Sequence, residues 1–211
     1  MRIDELLQQA REAGASGLLL VPHPPPRGYV HGPLRALGHT PLDAGAAGAV
    51  LLGIITPPHR GQLERIGDCD FSYGQSGVGR VRINVHRQRG TCAAAIRFIP
   101  ARIPSFEELH LPAKLAELAR LPRGLVLVAG STGSGKSTTL AAMIEYMNAH
   151  LERHIITLED PIEFLFAHRR CVIEQREIGQ DSPSFAQALR HVVRQKPEVI
   201  LVGEMRDRET I

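Results

Sequence analysis

The sequence predicts a mixed α/β chain in which a first part with an antiparallel sheet precedes a second part with a parallel sheet. In residues 79–90, the apolar side chains of Val81, Ile83 and Val85 alternate with polar ones, which is typical of a strand buried on one face. Further along the chain, apolar runs without alternation are separated by helical segments, which favours strands covered on both faces. Three prolines interrupt both patterns in residues 100–112, so we expect the domain boundary there.

The first part is expected to begin with an amphipathic helix that ends at Gly14. A short buried strand follows at residues 17–21. The proline-rich segment after it is restricted to a loop or an edge strand, because proline offers no donor to a strand ladder. The apolar run at residues 46–55 is too short to cross a bilayer and indicates a buried element. Residues 79–90 and 91–100 then form an antiparallel hairpin whose polar face carries arginines.

The second part opens with Ser105 and Glu108, which have the spacing of a helix-capping box. After them, the pattern predicts alternating strands and helices, and therefore a parallel sheet. The predicted elements are a strand at 124–130, a helix at 134–150, a strand at 154–160, a helix at 184–195 and a strand at 198–204.

The composition is ordinary for a globular protein and excludes several classes of function. Of the 211 residues, 43% are hydrophobic and 22% are charged, and a formal charge of +3 is too small to indicate a nucleic-acid ligand. We find no secretion signal and no apolar segment long enough to span a bilayer, so we expect a cytosolic protein. Cys69, Cys92 and Cys171 are widely spaced, and we expect them to be buried, inert thiols.

Residues 130–138, "GSTGSGKST", match the phosphate-binding template GxxxxGK[ST] between a predicted strand and a predicted helix. The glycines allow the backbone N–H groups to turn toward phosphate oxygens, and the start of the helix adds partial positive charge. Lys136 would reach the β- and γ-phosphates, and the Ser137 hydroxyl would bind Mg²⁺. The alternative is a glycine-rich turn with a solvated lysine. The predicted nucleotide-binding residues are Gly130, Ser131, Thr132, Gly133, Ser134, Gly135, Lys136, Ser137 and Thr138.

Acidic side chains follow two of the predicted strands of the second part. Glu204 lies at the carboxyl end of the last one, where it could orient or deprotonate an attacking water, although such an acid is also common as a helix cap or ion-pair partner. Glu159, Asp160 and Glu163 come just after the apolar run HIIT of another strand and would repel one another unless a cation or arginines shared the site. A magnesium site and an exposed turn explain these three acids equally well.

Several segments, in order, closely resemble the secretion ATPase superfamily and, within it, the pilus-retraction (PilT-type) ATPases. They include "GLVLVAGSTGSGKSTTLAAMIEYMN", "HIITLEDPIEF", "QREIGQDSPSFAQALR" and "VILVGEMRDRETI", while "DFSYGQSGVGRVRINVHRQRG" and "IPSFEELHLP" resemble the N-terminal domain of the same family. The resemblance implies a PAS-like α+β domain at 1–100, a linker with a boundary helix at 101–122, and a partial RecA-like P-loop core at 123–211.

The resemblance also implies roles for individual residues. Lys136 and Ser137 match the Walker A pair, and Glu204 matches the catalytic glutamate of the Walker B motif. The metal ligands would be Ser137, Glu159 and Asp160, and the catalytic residues would be Glu204, Glu159, Glu163, Arg82 and Arg97. The two arginines match N-domain side chains that move toward the γ-phosphate; without the family, a solvated strand face is the simpler interpretation.

The resemblance further implies a homo-hexamer that uses ATP and Mg²⁺ to disassemble pilins in twitching motility. Such a motor acts at the cytoplasmic face of the inner membrane on a pilus platform protein, without nucleic acid and without an integral membrane segment. We expect the chain to be an N-terminal fragment, with the family's histidine motif and helical domain after Ile211. The alternatives are a type II secretion or pilus-extension ATPase, a non-catalytic nucleotide-binding remnant and, more remotely, a RecA-type nucleic-acid motor.

Overall fold

The computed structural model describes residues 2–75, 77–100, 102–205, 208 and 210, and the chain divides into two compact units, Met1–Ile99 and Pro100–Ile211. Each unit has its own hydrophobic core. Four residues of the last family-like segment, Arg206, Asp207, Glu209 and Ile211, lie outside the described residues. The model confirms the predicted fold class, since an antiparallel sheet lies in the first unit and a parallel sheet in the second.

The first unit is an antiparallel sheet of six strands in the order β3-β2-β1-β6-β5-β4. Its helices pack on the sheet, α1 against β1, α2 against β6 and α3 against β4. Its elements are α1 (Ile3–Glu12), β1 (Ala15–Leu20), β2 (Arg27–Val30), β3 (Leu34–Ala36), α2 (Ala44–Leu52), α3 (Pro57–Ile66), β4 (Asp68–Gln75), β5 (Gly79–Gln88) and β6 (Thr91–Phe98).

Alternation along β5 decides which face of this sheet is buried. Val81, Ile83 and Val85 are fully buried, whereas the side chains between them are partly exposed on the other face. The predicted hairpin of β5 and β6 is therefore confirmed, as is its arginine-bearing polar face, on which Arg82 and Arg97 are paired across the two strands.

Two other expectations for the first unit are met only in part. The proline-rich segment was expected to form a loop or an edge strand, but its residues Arg27–Val30 form β2, which lies inside the sheet between β1 and β3. This is possible because the prolines precede and follow β2, so that the strand keeps its own N–H donors. The apolar run at 46–55 contributes to α2, of which only Ala47 and Leu51 are buried.

We predict that Ile83→Ala will lower the free energy of unfolding by about 2–5 kcal/mol, because the removed atoms leave a cavity in a close-packed core. Ile83 is 0% exposed, whereas Ile66 is 56% exposed, so Ile66→Ala is a matched control that should change stability by about 0.5 kcal/mol or less. Urea denaturation of the two variants would measure both values. Equal midpoints for Ile83→Ala and the unsubstituted chain would contradict this assignment of the core.

The second unit contains a parallel sheet of three strands in the order β8-β7-β9. Ile155 of β7 packs with buried residues of α5, whereas Ile156 and Leu158 pack with those of α6, so helices cover both faces of the central strand. The elements are α4 (Lys114–Arg120), α5 (Lys136–His150), β7 (His154–Glu159), β8 (Val172–Glu177), α6 (Phe185–Val192), a 3₁₀ turn (Val193–Gln195) and β9 (Val199–Val202).

The predicted helices α5 and α6 and the predicted strands β7 and β9 are confirmed, but the strand expected at residues 124–130 is not formed. That segment has no regular secondary structure and pairs with no strand among the described residues, and Leu125 is 79% exposed. The predicted full burial of β9 is also wrong, since all four of its residues are partly accessible or exposed. Strand β8 was not predicted, because its polar sequence, VIEQRE, lacks an apolar run.

Smaller expectations are also resolved in the described residues. Ser105 and Glu108 exchange the two hydrogen bonds of a capping box, at 2.9 and 3.3 Å, around a turn.

Cys69 and Cys171 are buried free thiols, while Cys92 is only partly buried. Burial raises the pKa of Cys69 to about 11 and that of Cys171 above its ordinary value, so both thiols are largely protonated near neutral pH. No described helix has the length and apolar character needed to cross a bilayer.

Candidate active site

The phosphate loop leads from the irregular segment 124–130 into α5. Gly133 and Gly135 have φ angles of +79° and +90°, which residues with a Cβ rarely adopt. Gly130 is favoured for another reason, because a Cβ on it would lie 2.6 Å from Oγ of Ser134, which would have to move. The three glycines therefore permit the turn that brings the backbone to the start of the helix.

Lys136 is the first residue of α5, and its side chain folds back over the loop. Its Nζ donates hydrogen bonds to the carbonyl oxygens of Gly130, at 3.0 Å, and Ser131, at 2.8 Å. The N–H groups of the first turn of α5, which includes Ser137 and Thr138, have no partner within the helix itself and carry its positive dipole end. The loop thus has both a cation and backbone donors for an anionic ligand.

A cavity of about 90 Å³ lies next to this loop, at the carboxyl ends of β7 and β9. It is large enough for several water molecules or a hydrated ion. The model therefore brings the predicted second-unit acids and the helix start to one place. The polar side chains lining the cavity belong to Ser137, Glu159, Asp160, Glu163 and Glu204.

Glu159, at the end of β7, is held by several hydrogen bonds. Its Oε1 accepts hydrogen bonds from Thr157 Oγ1, at 2.7 Å, and Gln175 Nε2, at 3.0 Å, and its Oε2 is 3.5 Å from the backbone N of Glu163. Burial raises the pKa of the Glu159 carboxyl, and the hydrogen bonds from Thr157 and Gln175 partly oppose that rise. The carboxylate therefore has a fixed orientation.

Gly203 allows the end of β9 to approach Glu159 closely. Its N–H donates to the carbonyl of Leu158 at 2.8 Å, and a Cβ on it would lie 3.2 Å from that oxygen and 3.4 Å from Cα of Glu159. A side chain at this position would push the two strand ends apart. Gly203 therefore sets the spacing between Glu159 and Glu204.

The donor set of the cavity suits a hard divalent cation. Ser137, Glu159 and Asp160 offer only oxygen ligands, which Mg²⁺ prefers, and Mg²⁺ usually takes one or two carboxylates together with substrate phosphates and waters. Within the described ranges, no group of three or more His, Cys, Asp or Glu side chains forms a metal site by itself. The arrangement therefore fits a cation completed by phosphate and water, not one enclosed by protein.

The two predicted arginines lie in the first unit, on the polar face of its sheet. Arg82 and Arg97 are partners across β5 and β6, and they line an open groove together with Asn84 and Tyr29. Nε of Arg82 is 3.6 Å from Oδ1 of Asp70, and both side chains are more than a third exposed. Because of this exposure, the ion pair contributes little stability and leaves the guanidinium available to a stronger partner.

Sequence reasoning missed the residues that hold the acidic loop in place. Gln175 contacts both Glu159 and the loop after it, and the buried carboxylate of Glu177 accepts a hydrogen bond from the backbone N of Ile162 at 3.1 Å. Thr157, which is 0% exposed, was passed over as part of an apolar strand. The sequence did contain one signal for these residues. Gln175 and Glu177 are two residues apart and continue the spacing from the apolar Ile173, and a spacing of two places residues on one face of a strand.

Comparisons of the sequence and of the structure with known proteins point to the same family. The family model described as "Type II/IV secretion system protein" matches residues 103–211, which is more than half of the chain. Over all 211 residues, the chain is 43% identical to the type IV pilus retractation ATPase PilT of Pseudomonas aeruginosa and 40% identical to the type IV pilus ATPase PilU of the same organism. These alignments cover 61% and 55% of the two relatives, so the chain spans about three fifths of their length.

Among solved structures, the crystal structure of the pilus retraction motor PilT with bound ADP matches with a TM-score of 0.92 and 47% identity. The match covers 100% of this chain and 62% of that one. The resemblance to PilT-type proteins noted in the sequence is thus confirmed, and the chain belongs to the type II/IV secretion system protein family.

Proposed function

We propose that this chain binds ATP with Mg²⁺ and hydrolyses it as part of a type IV pilus retraction motor. The observation that carries the proposal is the shared cavity, which joins the start of the phosphate-loop helix to four carboxylates at the carboxyl ends of two parallel strands. Parallel sheets bind their ligands at this edge. A loop that offers a lysine and backbone N–H donors beside an acidic pocket is the arrangement that phosphoryl transfer to water requires.

Binding begins with the phosphate groups. The Nζ of Lys136 would move from the carbonyls of Gly130 and Ser131 to the β- and γ-phosphates, and the first N–H groups of α5 would contact the remaining oxygens. Ser137, Glu159 and Asp160 would hold Mg²⁺ directly or through water. When bound, Mg²⁺ neutralises phosphate charge during transfer.

Hydrolysis needs a group that orients the attacking water and accepts its proton. Glu204 follows β9 at the same cavity, and in our assignment its carboxylate does this. Glu163, on the loop after β7, lines the cavity as well and would orient water around the ion. The two carboxylates can share the pocket because the cation and the loop lysine offset their repulsion.

Arg82 and Arg97 would add the last positive charges. They lie on an exposed sheet face of the first unit, and a cation delivered to the γ-phosphate only when the two units come together would link hydrolysis to domain motion. In this proposal, six copies form a ring at the cytoplasmic face of the inner membrane, where a platform protein and, indirectly, pilins receive the motion. The alignment with PilT, which spans all 211 residues of this chain and 61% of that relative, supports retraction as the output.

The proposal is tested by ATP turnover and assembly of the purified chain. We expect weak ATP binding and slow turnover that stop when EDTA removes Mg²⁺, because the oxygen donors of the cavity need the cation to hold the phosphates. Size-exclusion chromatography with ATP and Mg²⁺ should show a hexamer that dissociates without nucleotide. A folded chain that neither binds a fluorescent ATP analogue nor turns over ATP would overturn the enzymatic part, and a monomer under all conditions would overturn the ring.

A further inference from the structure

We propose that Thr157 and Gln175 are positioning residues that bind one oxygen of Glu159, Oε1, so that the other oxygen, Oε2, is the one that serves the metal site. This inference rests on the proposed function, because it assigns how a carboxylate of that site is oriented. Neither residue lines the cavity, so both would act only through Glu159.

Thr157 reaches Glu159 because of its position on β7. It lies two residues before Glu159, and residues two apart on a strand project from the same face. Its side chain is fully buried, and Oγ1 donates to Oε1 of Glu159 at 2.7 Å. A buried hydroxyl needs such a partner, so the bond orients both side chains.

The register of the parallel strands brings Gln175 to the same carboxylate. Gln175 of β8 is the direct partner of Thr157 on β7, so the two side chains reach the same carboxylate from neighbouring strands. Nε2 of Gln175 donates to Oε1 of Glu159 at 3.0 Å. Two donors thus converge on Oε1, whereas Oε2 accepts, within the described residues, one long bond from the backbone N of Glu163.

Gln175 also holds the backbone of the loop after β7. Its Nε2 also donates to the carbonyl of Phe164 at 2.7 Å, and its Oε1 accepts from the N–H of Phe166 at 3.0 Å. One side chain therefore fixes both the carboxylate of Glu159 and the loop that carries Asp160 and Glu163. Side chains that orient metal-binding groups in this way typically contribute about 10–100-fold to metal affinity or activity.

A matched pair of substitutions at Thr157 tests the orientation. Thr157→Val keeps the shape but removes the donor, whereas Thr157→Ser keeps the hydroxyl. With a fluorescent, non-hydrolysable ATP analogue, we expect Thr157→Val to raise the Mg²⁺ concentration for half-maximal binding about 10-fold or more and to lower kcat similarly, with little change in KM. Thr157→Ser should restore both. Wild-type values in Thr157→Val, or an equal loss in the serine variant, would overturn the proposal.

Substitutions at Gln175 separate the two functions of that side chain: hydrogen exchange without nucleotide reports on the loop, and the Mg²⁺ dependence of ATP-analogue binding reports on Glu159. Gln175→Glu keeps the acceptor for Phe166 but loses both donors, whereas Gln175→Ala loses all three bonds. Hydrogen exchange should therefore show faster exchange at the Phe166 amide in Gln175→Ala than in Gln175→Glu, while both lose Mg²⁺ affinity. Gln180→Ala, on the exposed turn after β8, is the control and should change neither.

These readouts distinguish the two proposals. If the unsubstituted chain does not turn over ATP, the proposed function fails, yet hydrogen exchange still tests whether Gln175 holds the loop. If the chain turns over ATP but none of the Thr157 and Gln175 variants changes the Mg²⁺ dependence, the proposed function stands and the positioning role is wrong.

Discussion

Glu204→Gln is expected to lower kcat for ATP by about 10²–10⁴-fold while leaving ATP binding within about 2-fold. The amide keeps the size of the side chain but cannot accept a proton from water. Because Glu204 follows β9 and lines the cavity beside Ser137 and Glu159, the change acts on the reacting groups without altering a hydrophobic core. Single-turnover hydrolysis and binding of a fluorescent ATP analogue would measure the two effects separately.

Glu198→Gln is the matched control for this prediction. Glu198 lies just before the opposite end of the same strand, where its carboxylate accepts a hydrogen bond from the backbone N of His154 at 2.6 Å. A glutamine can still accept that bond, so turnover should be close to that of the unsubstituted chain. If the two variants have the same rate, Glu204 is not the group that activates water.

Lys136→Ala is expected to weaken ATP binding by about 100-fold or more and to reduce turnover below detection. The substitution removes the one cation that the phosphate loop itself carries, and hydrogen bonds between charged partners are about twice as strong as neutral ones. It also removes the bonds from Nζ to the carbonyls of Gly130 and Ser131. Thermal unfolding of the variant must therefore be measured beside ATP affinity.

Lys114→Ala is the control for Lys136. Lys114 is an exposed residue at the start of α4 and forms an ion pair with Glu117. Its removal should leave ATP affinity unchanged, because exposed ion pairs contribute little. An unchanged ATP affinity in Lys136→Ala would contradict the assignment of the loop, whatever the stability of the variant.

The parts of the fold that could be predicted from sequence are those specified by local pattern. The alternation around Ile83 predicted a half-buried strand, and the glycines and the lysine at 130–138 predicted a loop that starts a helix; both are found. The location of Glu159 and Glu204 at one cavity also followed, because carboxyl ends of parallel strands lie on one edge of a sheet.

The parts that could not be predicted depend on which strands pair. Residues 124–130 have the composition of a buried strand, but a strand requires hydrogen-bond partners, and the described part of the chain pairs none with this segment. Strand β8 shows the opposite case. Its charged sequence gives little strand signal, yet pairing with β7 along six residues defines it.

The residues that orient Glu159 could not be predicted for a related reason. Thr157 and Gln175 are separated by 17 other residues and meet only because β7 and β8 pair in one register. A shift of one residue would turn Gln175 to the other face of the sheet. Their contact is a property of strand register, which sequence patterns alone do not specify.

The two hydrogen bonds of Lys136 to the loop carbonyls have a consequence for selectivity. Before Nζ can bind an anion, its bonds to the carbonyls of Gly130 and Ser131 must break. The net gain in binding free energy is therefore the difference between a bond to an oxygen of the anion and a bond to a peptide carbonyl. For a polyphosphate with several charged oxygens, this difference is large. For a weakly charged anion this difference is small. The bonds of the loop lysine to the carbonyls thereby favour polyphosphates over monoanions in the surrounding solution.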